Sequence, residues 1–125
     1  MADWARTQYD LGTAITLLLE RSQNIKPSLI VSAINAFQSV LEVYTPEKNS
    51  REWAEANIGL AYTYYLSTWF IEDKNKEVDL LREAYRILES AITSYTSDTT
   101  QEEHIFPTNL IQQINEDLAK IENAQ

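Results

Sequence analysis

Apolar residues recur at three- and four-residue spacing along most of the chain, which predicts helices separated by short polar interruptions. The first segment, about residues 3–21, carries Leu11, Ala14, Ile15, Leu18 and Leu19 at helical spacing, with Asp3 at its start. A second begins at Pro27, suited to a first turn because its missing N–H costs nothing there, and presents one broad apolar stripe to about Tyr44. The third, about residues 50–71, has no clean polar face, so it is expected to be the central helix, buried on several sides. Asn49 and Glu52 predict a capping-box variant at its start. After the charged connection "EDKNKE" a fourth helix is expected over about 78–95, with core positions running from Leu80 to Ile92.

A final helix ends near Ile121, with Leu110, Ile111, Ile114, Leu118 and Ile121 on one face and polar residues opposite. That one-sidedness is what a capping helix needs. Its start is ambiguous. Thr100 and Glu103 form a capping box, which would place Pro107 inside the helix, whereas a short turn ending at His104 would let the helix start at Pro107. The second version is preferred.

Two glycines and three prolines in 125 residues agree with helices and argue against a sheet of tight turns. The net charge of −9 disfavours nucleic acid and anionic membranes, whose phosphates need a basic footprint. No cysteine is present, so disulfides, thiolate metal sites and cysteine nucleophiles are excluded. Neither a signal-peptide pattern nor an apolar run of membrane-spanning length is evident, and a cytoplasmic protein is the expectation.

The pattern also repeats. "WARTQYDLGTAI" at Trp4 is answered by "WAEANIGLAYTY" at Trp53, 49 positions later, and Tyr44-Thr45 by Tyr95-Thr96. The units resemble tetratricopeptide repeats of the long-period bacterial and cyanobacterial type. In unit one the family positions fall on Leu11, Gly12, Ile15, Ala33, Phe37, Val40 and Pro46; in unit two they fall on Leu60, Ala61, Tyr64, Ala84, Leu88 and Ala91. Counting 51 residues on from Trp53 reaches His104, so the last helix reads as a degenerate third copy. The resemblance implies an all-α fold, an α-α superhelix of two helical hairpins (residues 3–45 and 50–96) closed by a capping helix over 101–123 as one domain.

It further implies a non-catalytic protein-interaction or scaffold module, binding a peptide or protein segment in a groove lined by the first helix of each unit. Carried over by position, that groove takes Arg6, Tyr9, Asp10, Thr13, Thr16 and Leu17 from the first helix, and Glu55, Ile58, Tyr62, Tyr65, Leu66 and Trp69 from the third. A carboxylate clamp of basic residues is missing, since Glu55 stands opposite Arg6; a partner with Lys or Arg among apolar anchors fits better. Trp4, with no unit before it, is the candidate for self-association, and a homodimer or a larger repeat array is the alternative reading. A small helical ligand-binding or enzymatic bundle is the remaining one.

No cofactor, metal or catalytic residue is assigned. His104 is the sole histidine and is expected in a loop, and the paired carboxylates are neighbours in sequence that diverge on a helix. No phosphate-binding, dinucleotide or metalloprotease motif occurs.

Overall fold

The fold is all-α, and the computed structural model describes residues 2–22, 26–94 and 101–124. Five helices follow one another: α1 (Ala2–Arg21), α2 (Pro27–Val43), α3 (Ser50–Ser67), α4 (Lys74–Thr93) and α5 (Gln101–Asn123), with a 3₁₀ turn at Thr68–Phe70. Among the described residues, no helix is long and apolar enough to cross a membrane.

Short connections turn α1 back onto α2 and α3 onto α4, so each pair packs as a helical hairpin. α3 touches all four other helices. Its composition explains that position: Ala54, Ala56, Leu60, Ala61, Thr63, Tyr65, Leu66 and Ser67 are all buried, and they point in several directions around the axis. The buried hydroxyls are satisfied inside the helix. Thr63 donates to the Gly59 carbonyl at 2.9 Å, and Ser67 and Thr68 donate to Tyr64 and Tyr65 at 2.6 Å. Among the described residues, no buried side-chain polar atom is left without a partner.

The largest fully buried side chain is Phe37 of α2. Its ring lies between two glycines on different helices: a Cβ on Gly12 of α1 would come within 2.7 Å of it, and one on Gly59 of α3 within 2.5 Å. Neither glycine has positive φ, so their role is close approach rather than a turn. Around this contact gather Ile15, Leu19, Leu66, Leu81, Leu88 and Ile114.

Several expectations are corrected. Leu11 and Leu18 are exposed, at 47% and 57%, because the buried face of α1 runs through Ala5, Gly12, Ile15, Thr16 and Leu19 instead. α4 begins four residues early, within "EDKNKE", because Asp73 caps it by accepting from the backbone N–H of Asn75 at 2.9 Å and of Lys76 at 3.3 Å. Asn49 occupies the N-cap of α3 without a side-chain cap bond. α3 gives way to the 3₁₀ turn after Ser67. α5 is continuous from Gln101, with Pro107 inside it and buried, and His104 is helical and half-buried rather than in a loop. Burial of the proline ring offsets the backbone bond it removes. The capping Thr100 and the Tyr95-Thr96 pair lie outside the described residues.

Candidate functional site

α1, α3 and α5 lie side by side and run the same way. Residue numbers rise together across both seams. The Tyr62 hydroxyl of α3 donates to Glu20 near the end of α1, while Arg6 near the start of α1 acts electrostatically on Glu55 near the start of α3. On the other side Arg51 pairs with Glu103 at 3.4 Å and Tyr62 meets Phe106.

These three helices border an open groove of about 490 Å³. α1 contributes Arg6, Tyr9, Thr13, Thr16, Leu17 and Glu20; α3 contributes Glu55, Ile58, Gly59 and Tyr62; α5 contributes Glu103, Phe106 and Pro107. Phe37 reaches it from α2. Gly59, one of the two glycines that admit the Phe37 ring, is itself part of the groove wall.

The rings form a connected floor. Tyr9 meets Phe37 edge-on with centroids 5.9 Å apart, and Tyr62 meets Phe106 edge-on at 5.1 Å. Tyr62 also stacks on Tyr65 at 6.3 Å. Glu20, Glu55 and Glu103 supply negative charge along the floor. The one guanidinium lining it, Arg6, lies 5.9 Å over the Tyr9 ring and 3.4 Å from Asp10.

Two pKa shifts mark the groove's electrostatics. Glu55 is held above the ordinary carboxylate value, first by burial and then by the charge of Glu52, with Glu103 adding to the push and Arg51 and Arg6 opposing it. Tyr62 is raised far above the usual phenol value, first by burial and then by its hydrogen bond to Glu20. A site that resists holding its own negative charge is one that an incoming cation relieves.

Of the residues assigned from sequence, Arg6, Tyr9, Thr13, Glu55, Ile58 and Tyr62 meet in this groove, as do Thr16 and Leu17. Asp10 does not line it; it is exposed and ion-paired to Arg6. Tyr65 and Leu66 turn into the core, 8% and 0% exposed. Trp69 lies past the end of α3 in the 3₁₀ turn, half-exposed and edge-on to Tyr65 at 5.8 Å, because the tightening at Thr68 swings it out of the row. Trp4 is 44% exposed.

The sequence reading missed Glu20, Phe37, Gly59, Glu103, Phe106 and Pro107. Part of the signal was there: the 51-residue offset that reaches His104 from Trp53 also carries Glu55 onto Phe106. Starting the last helix at Pro107 removed that turn from consideration.

A second concavity of about 330 Å³ lies elsewhere, between α2, the end of α3 and α4, lined by Ile30, Val31, Ile34, Tyr64, Phe70 and Leu80 among others. It is almost wholly apolar and offers no charged group to orient a ligand. Among the described residues, no group of three or more His, Cys, Asp or Glu is placed to hold a metal ion. No protein-family model, curated protein or solved structure matches the chain.

Proposed function

We propose that the chain is a tetratricopeptide-like interaction module that binds a peptide or protein segment bearing Lys or Arg between apolar residues, in the groove of α1, α3 and α5. The observation that carries this reading is the pooling of Glu20, Glu55 and Glu103 with Tyr9, Tyr62 and Phe106 along one open channel. The groove is open to solvent and bordered by three helices, which suits an extended or helical segment lying across them. Aromatic rings with polar edges anchor apolar side chains of such a segment at low entropic cost. The carboxylates draw a cation to the floor, and a cation beside Glu55 favours its ionised form against the burial that holds its pKa up.

Chemistry is not needed for this role. The groove carboxylates come from three helices, and two of them have protein partners, Glu20 with Tyr62 and Glu103 with Arg51. The test is fluorescence anisotropy with labelled peptides that alternate arginine with leucine or phenylalanine, against the same peptides with glutamate for arginine. Binding of the basic set, lost at least tenfold in Tyr62→Ala and Glu55→Lys, is expected. Equal binding of both sets, or basic-set binding that both variants leave unchanged, refutes the groove as the recognition site.

A further inference from the structure

The outer face of α1 holds a second surface, independent of the groove. Trp4, Thr7, Leu11, Ala14 and Leu18 are all exposed and follow one another at spacings of three and four, the seam of a helix that pairs with another helix. The internal repeat says what this seam is for. Forty-nine positions on, the same five places of α3, from Trp53 to Ser67, are buried within the fold, save Trp53, which is half-buried. α1 therefore presents a helix-packing face that the other described residues leave uncovered.

We propose that this face pairs with α1 of a second copy of the chain, antiparallel, about a two-fold axis near Gly12 and Thr13. In that register large meets small: Leu11 lies against the partner's Ala14, Leu18 against the partner's Thr7, and Trp4 over the aliphatic stem of the partner's Arg21. Charge agrees with direction. Asp3 opens α1 and Arg21 closes it, so antiparallel pairing brings the two together at both ends.

A further hairpin stacking as α2 stacks on α3 fits less well. There Phe37 sits hard against Gly59, and the matching residue of α1 is Asp10, whose side chain denies a ring that approach. Asp3 and Arg21 balance each other at the ends of the seam, although the chain as a whole carries −9. Repulsion between the two acidic bodies is screened beyond about 8 Å at physiological ionic strength, so it weighs little against contacts made across the seam.

The experiment is sedimentation velocity with light scattering on the whole chain from about 10 μM to about 1 mM, a range that resolves weak association. The mass is expected to rise from 14.4 kDa towards twice that value. Leu11→Glu, an exposed site whose change leaves the helical circular dichroism intact, holds the monomer mass throughout. Arg21→Asp weakens the dimer at least tenfold, and adding Asp3→Arg to it restores pairing, a reciprocal result that only antiparallel contact gives. A monomer at every concentration assigns the face to some other partner and overturns the proposal. So does a dimer indifferent to Leu11→Glu and dissolved instead by Val31→Glu in the apolar cleft.

Discussion

At the scale of single residues, the contact on which the core and the groove both depend is Phe37 between Gly12 and Gly59. Alanine is favoured over glycine inside a helix by about 1 kcal/mol, but forcing a methyl group into a filled space costs about 1–3 kcal/mol. A Cβ at 2.5 Å from the ring falls at the costly end. Gly59→Ala is therefore expected to destabilise the chain by about 1–2 kcal/mol net in urea unfolding. In a Phe37→Leu background the obstruction is gone, and the same change is expected to turn neutral or stabilising; two equal effects would remove the steric account. Glu55 gives a pH dependence. Its folded pKa is raised, so its contribution to stability is present below the ordinary carboxylate value and is lost as pH rises through the raised one. Glu55→Gln should gain stability over the parent as pH rises from the ordinary carboxylate value through the raised one, read by urea unfolding at a series of pH values. A bound cation lowers that pKa, so binding of a basic peptide at mildly acidic pH should release protons, read by calorimetry in buffers of different ionisation enthalpy.

At the scale of elements, helix ends separate the residues that cap from those that only occupy the cap position. Asp73 accepts two backbone N–H bonds at the start of α4, whereas Asn49 at the start of α3 makes no side-chain cap bond. Asp73→Ala is expected to cost about 1 kcal/mol and Asn49→Ala only a few tenths, compared by thermal or urea unfolding. The same elements show how far the sequence could be read. The number of helices, the centrality of α3 and the broad apolar stripe of α2 were legible because each rests on periodicity over many residues. The rotation of α1 was not. Four leucines and their neighbours give that helix two apolar faces, and only packing decides that Leu19 goes inward while Leu11 and Leu18 face out. The start of α5 was misplaced because a proline reads locally as a helix start, while burial of its ring is a tertiary effect. Most of the α1 and α3 groove residues could be named in advance, since repeat position fixes which helix face they occupy. Tyr65 and Trp69 could not be sorted, because the 3₁₀ turn that separates them leaves no clear mark in the sequence.

At the scale of the whole molecule, two uncovered surfaces lie on different faces of α1: the groove side with Arg6, Tyr9 and Thr13, and the outer seam with Trp4, Leu11 and Leu18. They are independent, so Leu11→Glu should abolish pairing without changing peptide affinity, while Tyr62→Ala should do the reverse. α5 completes the groove through Phe106 and Pro107 and covers the core with Leu110 and Ile114. Ile114→Ala, which empties a fully buried site, is expected to destabilise by about 2–4 kcal/mol and to lower peptide affinity along with stability. The central claim is that the groove of α1, α3 and α5 takes a basic, apolar segment. It is tested most directly by amide chemical-shift mapping of the isotope-labelled chain during titration with an arginine- and leucine-bearing peptide. Saturable shifts concentrated at Arg6, Tyr9, Thr13, Glu55, Ile58, Tyr62 and Phe106 are expected. Shifts centred instead on Ile34, Tyr64 and Leu80, or no saturable shifts at all, would contradict the claim.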